Sequence, residues 1–142
     1  MFLFNRQTTI AALILGLLCL SPVSFGQQSA AGPVDFSLRS IDGQAVTAQS
    51  LRGKVVVLAF GASWLPLSRT QLQGVKKLAD QYRDRGVVVY WISTEPDNSK
   101  AKNYASDEQV RAFARKYGTD VAVLRDPEMV VAKKLAAVEL PS

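Results

Sequence analysis

The unbroken apolar run Val55-Val56-Val57-Leu58-Ala59-Phe60 constrains this chain more than any other stretch, and Val87 to Ser93 repeats its character. A strand with one wet face alternates apolar and polar residues. A strand without alternation is covered on both faces, as in a parallel sheet. Parallel neighbours need a crossover of about a dozen residues or more, usually a helix. The intervening sequence provides one. Leu72, Val75, Leu78, Ala79 and Tyr82 recur at helical spacing, which predicts a helix from about Ser68 to Asp84 with Gly86 beyond its end.

The same logic extends in both directions. Val34 to Leu38 alternates like a half-buried strand, and Asp42-Gly43 is a turn signal before Gln44 to Thr47. A small hairpin is expected there, then a short helical turn at Leu51 to Lys54. Thr94 to Ala105 is polar and loop-like. Ser106 with Gln109 at the N3 position is a capping-box signature. Val110, Phe113, Ala114 and Tyr117 give that helix an inward face, ended by Gly118. Val121 to Leu124 reads as a third buried strand. Asp126-Pro127 reads as an N-cap followed by proline at the first helical position, with Val131, Leu135 and Val138 as the stripe of a last helix. The order hairpin, β, α, β, α, β, α predicts an α/β fold with a central, mostly parallel sheet flanked by helices.

Residues 1–26 are a separate object. Arg6 supplies a positive start, Ile10 to Leu20 is an apolar run of signal-peptide length, and Pro22 breaks it. Ser24-Phe25-Gly26 places small residues for cleavage before Gln27; a cut after Ala31 and an uncleaved anchor are the alternatives. The expectation is export to the periplasm or the outside, with residues 27–33 as a linker and 34–142 as one domain. Cys19 reads as an ordinary apolar residue of that segment.

Cys19 is the sole cysteine, and the sequence has no histidine. Without residues 1–26 the chain has no thiol. An internal disulfide, a thiolate nucleophile, a histidine metal site and a Ser-His-Asp triad are all excluded. No metal and no cofactor are expected. The net charge is +5, but the basic residues are dispersed and not interleaved with aromatics, so neither nucleic acid nor, after signal cleavage, membrane is expected as a partner.

The carboxyl end of a buried strand is where α/β proteins usually place their chemistry. Here that loop reads Phe60-Gly61-Ala62-Ser63-Trp64-Leu65-Pro66-Leu67-Ser68. With the elements in place, "DFSLRSIDGQAVTAQSLRGKVVVLAFGASW" resembles the opening of exported thioredoxin-like proteins of the TlpA/ResA type and the wider redoxin and alkyl-hydroperoxide-reductase group. The likeness runs from about Val34 to Pro141. It implies a thioredoxin-like fold with a Cys-x-x-Cys loop after Trp64. Leu65 stands where the nucleophilic cysteine would be, and Ser68 where the resolving one would be. Arg69 and Thr70, of the types that serve a peroxidase cysteine, have no thiol to serve. Ser68 is expected instead to cap the following helix by accepting the Gln71 N–H. By the same resemblance Pro141 is the cis-proline that faces the loop, beside backbone that pairs with an extended substrate. The family's C-terminal hairpin and helix are missing after Ser142, which would leave the Val87–Ser93 strand with one bare edge.

Three functions follow. The first is a non-catalytic domain that binds an extended peptide or protein through an apolar patch of Trp64, Leu65, Pro66 and Leu67, with Pro141 opposite; against it, Leu65 and Leu67 fold down onto the helix. The second, by resemblance alone, is a thiol-disulfide oxidoreductase or peroxidase. The third is a truncated remnant without activity. The loop carrying Glu95, Asp97, Lys100, Lys102, Asn103 and Tyr104 adds either an accessory ligand site or merely a solvated surface. The oligomeric state is open.

Overall fold

A computed structural model describes residues 34–117, 120–137 and 139–142. The expected signal segment 1–26 with Cys19, the linker 27–33, and the roles given to Gly118 and Val138 lie outside the described residues.

β1 (Ser37–Ser40) and β2 (Ala45–Thr47) form the expected antiparallel hairpin, with Leu38 opposite Val46. Gly43 turns it at φ 84°, a left-handed conformation that glycine reaches without a Cβ clash. β1 starts later than the alternation of Val34 to Leu38 suggested. Its second partner sets the ladder: Arg39 and Ser40 pair with Arg125 and Leu124 of β5 (Ala122–Arg125), and Phe36 packs on the core from outside the strand. The helical turn is Gln49–Leu51, just before the expected place.

β3 (Val55–Gly61), α1 (Pro66–Tyr82), β4 (Val87–Ser93), α2 (Asp107–Lys116), β5 and α3 (Val130–Lys134) follow in order. The sheet runs β2-β1-β5-β4-β3, and β3, β4 and β5 are mutually parallel, as their unalternating sequences require. Their side chains alternate between two dry cores. Ala59, Val89, Trp91 and Val123 meet Leu72 and Val75 of α1 and Val110 and Ala114 of α2. Phe60, Ile92 and Leu124 meet Val131 and Ala132 of α3 on the opposite face. Each large side chain fully buried here contributes about 1.5–3 kcal/mol. Among the described residues no helix is long and apolar enough to cross a membrane.

Three expectations need correcting. First, β4 is not the strand with a bare edge. The crossover through α2 carries β5 to the side of β4 away from β3, so β4 lies between two partners and β3 is the edge. Second, α3 is a short helix that begins at Val130, not at Pro127. Met129 takes φ 54° and interrupts the turn before it. Asp126 still caps the helix from a distance: its Oδ1 accepts the Val130 N–H at 2.9 Å and its Oδ2 the Ala132 N–H at 2.8 Å. Leu135 lies beyond the helix and is exposed, and Ala132 takes its place in the stripe. Third, α1 begins at Pro66 and ends at Tyr82, with a tighter turn over Arg83–Arg85 and a left-handed Gly86. Proline suits the first helical position because its fixed φ is helical and its missing N–H would be unpaired there.

Candidate functional site

The apolar rows of β3, β4 and β5 end together in a buried polar layer made by Gly61, Ser93, Glu95, Arg125 and Asp126. Gly61 is required. A Cβ there would stand 2.7 Å from Gln71 Oε1, 2.9 Å from Ser68 Oγ and 3.0 Å from Trp91 Nε1. Its absence lets α1 close onto the strand end.

Ser68 does not cap α1. The helix N-cap is Leu65, which offers no side-chain bond. Ser68 sits one turn inside, fully buried, and its Oγ accepts the Ala62 N–H at 3.2 Å. An N-cap residue must be extended, and the proline at position 66 pulls that role back to Leu65, at ψ 123°. Gln71, expected to be the capped residue, is a junction instead. Its Oε1 accepts the Trp91 indole N–H at 3.0 Å, and its Nε2 donates to the carbonyls of Phe60 and Ser142 at 3.1 and 2.9 Å.

The segment Trp64–Ser68 is split by exposure. Trp64 is 54% exposed and Leu67 66% exposed, while Leu65 is half-buried. Leu67 therefore does not fold down onto the helix. Pro141 follows Leu140 through a cis peptide bond, and Ser142 exchanges both backbone hydrogen bonds with Phe60, at 2.6 and 2.9 Å. The chain thus returns to the strand end that leads into the loop.

Behind the loop lies a relay that sequence reading did not assemble. The Glu95 carboxylate, 1% exposed, accepts the Ser63 N–H on one oxygen and the Ser93 hydroxyl on the other. Buried Arg125 donates to Ser93 Oγ at 2.8 Å and to the carbonyls of Glu95 and Ala105 at 3.2 and 2.8 Å. Its Nε makes no hydrogen bond and stands 3.4 Å from Asp107 Oδ1, an ion-pair distance. Asp107 in turn accepts a two-pronged bond from Arg39, at 2.7 and 3.2 Å. That bond, with the charges of Arg39 and Arg125, holds the Asp107 carboxyl below the usual carboxylate range against the opposing effect of burial, and raises Arg39 in return. Arg125 had a legible signal, a charged residue closing an apolar strand; Asp107 and Arg39 had none.

A cleft of about 220 Å³ opens beside this network, lined in part by Arg39, Asp97, Tyr104 and Arg125. Of the residues named for the accessory loop, Asp97 and Tyr104 border it. Lys100, Lys102 and Asn103 are exposed, and among the described residues none is hydrogen-bonded to Trp64–Ser68. Arg69 stacks over the Tyr117 ring at 5.5 Å. Among the described residues there is no thiol, and Ser68, the sole hydroxyl within Leu65–Ser68, is buried and bonded.

Comparison with known proteins agrees with this architecture. A curated relative, the thioredoxin-like protein YneN of Bacillus subtilis, is 34% identical over 92 residues, 65% of this chain and 50% of that protein. The chain thus spans about half the length of that relative. A secreted Mycobacterium tuberculosis disulfide oxidoreductase homologous to Escherichia coli DsbE superposes with a TM-score of 0.60 at 22% identity, covering 75% of this chain and 71% of that one. A thioredoxin-like protein of Aeropyrum pernix gives 0.57 at 25% identity, covering 70% and 66%. Residues 30–141 match the AhpC/TSA family model, so a thioredoxin-like fold with leucine and serine at its loop belongs to the AhpC/TSA family.

Proposed function

We propose that this chain is an exported, non-catalytic thioredoxin-like domain that holds an extended peptide or protein segment at the Trp64–Leu67 lip. The observation that carries the reading is the exposure of Trp64 and Leu67 on a loop whose first residues, Phe60, Ala62 and Ser63, are bonded to Gln71, Ser68 and Glu95. A rigid aromatic beside an aliphatic side chain is a low-entropy anchor for a peptide. The backbone next to Pro141 supplies the extended surface alongside it. Export rests on the character of residues 1–26.

The second reading is a thiol-disulfide oxidoreductase, favoured by what the M. tuberculosis neighbour is described as. The two separate cleanly. Isothermal titration against a set of extended, apolar peptides gives saturable binding that the Trp64→Ala, Leu67→Ala double variant loses at least tenfold. Insulin reduction or peroxide turnover above a protein-free control would turn the reading to catalysis. Sequencing the mature N-terminus tests export, with a start near Gln27 as the expected result.

A further inference from the structure

The cleft of about 220 Å³ lies at the carboxyl end of β5, the end of an open sheet where ligands usually bind. It is below the roughly 300–1,000 Å³ of sites for drug-sized ligands, so any occupant is small. Two sets of residues border it. Arg39 of β1 and Arg125 of β5 are cross-strand partners, so their side chains leave the same face of the sheet. Both reach Asp107, the first residue of α2. The second set is Asp97 and Tyr104, from the loop between β4 and α2.

The two sets carry opposite open groups. Arg125 is 3% exposed and spends its two terminal nitrogens on Ser93 Oγ and the carbonyls of Glu95 and Ala105. Its buried Nε has no hydrogen-bond partner. Asp107 Oδ1 already accepts from Arg39 and stops 3.4 Å from that Nε. At the cleft, two guanidinium groups thus share one carboxylate. Arg39 has donors to spare, since three of its five N–H groups are used. Asp97 is the converse. It is exposed, and among the described residues it makes no hydrogen bond and no ion pair; Arg39 feels its charge only across a gap. The Tyr104 hydroxyl is also unbonded among the described residues. The capping box at Ser106 is complete, so the open groups belong to the strands and the loop rather than to that cap.

We propose that this cleft binds a free α-amino acid through both of its charged groups. The α-carboxylate takes the spare donors of Arg39 and the Tyr104 hydroxyl, and supplies the negative charge that Asp107 divides between two guanidiniums. The α-ammonium is met by Asp97. Charge selects this class of ligand. Arg39, Arg125, Asp97 and Asp107 sum to zero. A simple anion would leave Asp97 unanswered, and a simple cation would leave Arg125 Nε as it is. A peptide end carries one of the two groups, whereas a free amino acid carries both on one carbon. None of the cleft residues belongs to the Trp64–Leu67 lip, so the inference stands apart from the peptide-binding reading.

The test titrates the nitrogen-labelled chain with glycine and follows its amide resonances. Glycine is expected to shift the amides of Asp97, Tyr104 and Asp107 saturably. Acetate, which lacks the ammonium, and glycinamide, which lacks the carboxylate, bind at least tenfold more weakly, because each leaves one charged group of the cleft unpaired. Asp97→Asn lowers glycine to the level of acetate and leaves acetate unchanged. The variant keeps the wild-type melting curve, since Asp97 is exposed and unbonded. Tyr104→Phe weakens glycine and acetate alike. No saturable shift with glycine, acetate binding as tightly as glycine, or an Asp97→Asn variant that keeps full glycine affinity would each overturn the proposal. Peptide binding at the lip is a separate titration, and either reading can fail while the other stands.

Discussion

Two helices start at the same end of this sheet, and they start in opposite ways. α2 opens with every device available: Ser106 Oγ accepts the Gln109 N–H at 3.2 Å, Gln109 Oε1 accepts the Ser106 N–H at 2.8 Å, and Asp107 and Glu108 place negative charge in the first turn. Asp107 is further pinned by Arg39 and faces Arg125. α1 opens with a leucine, a proline and another leucine, no acidic residue in its first turn and no side-chain cap. The saturated start is a structural joint. The bare start leaves its positive dipole end unspent beside exposed apolar side chains. That contrast is what the proposed peptide contact at Trp64 and Leu67 would draw on.

The comparison breaks most severely at Arg125. Arg125→Met removes the donor to three buried oxygens and leaves Asp107 with Arg39 as its one remaining cation among these residues. A loss of about 3–5 kcal/mol is expected, the range for removing one partner of a buried charge network. Urea unfolding measures it. A shift below about 1 kcal/mol would mean that the polar layer behind α2 is decoration, and that the two helix starts differ less than their hydrogen bonds suggest.

Ser68→Ala comes next. It leaves the buried Ala62 N–H without an acceptor, a cost of about 1–3 kcal/mol. The distinguishing readout is amide exchange. Ala62 loses protection if Ser68 supports the strand end, whereas an N-cap role would loosen the Gln71 amide.

Much of this was legible beforehand, and the failures share a cause. The parallel strands, the α2 capping box and the hairpin turn are local patterns, and each appears where its own residues put it. Ser68 was misread because a serine before an apolar stripe is a cap signal; the proline two residues earlier moved the start, and tertiary packing turned the hydroxyl inward. The bare edge was assigned to β4 because strand order is a property of crossovers, which no local pattern in Val87 to Ser93 encodes. Glu95 is legible in the sequence only as one polar residue of the loop after β4. Its union with Ser63, Ser93 and Arg125 depends on three strand ends meeting, which spacing along the chain does not reveal.

Within α2 the effects are smaller. Ser106→Ala costs about 1 kcal/mol, the usual value of a lost N-cap, read as a lower urea midpoint. Asp107 gives the same joint a pH dependence. Its folded pKa is lowered, so its contribution is present above the unfolded value of about 3.9 and fades as pH falls through the folded value. Stability curves of the wild type and Asp107→Asn should therefore diverge near neutrality and converge in acid. Parallel curves across the whole range would remove Arg39 as the cause.

The smallest change in stability belongs to the lip, and that smallness is the point. Trp64 and Leu67 are mostly exposed, so truncating them removes little buried area. Surface substitutions of this kind stay within about 0.5 kcal/mol. The Trp64→Ala, Leu67→Ala double variant is therefore expected to unfold at nearly the wild-type urea concentration while losing peptide binding. A double variant that unfolds much earlier would place these side chains in the domain's own core. One that keeps both stability and binding would mean that the bare start of α1 is not where a partner docks. Stability retained with binding lost is the one outcome that a purely structural lip does not produce.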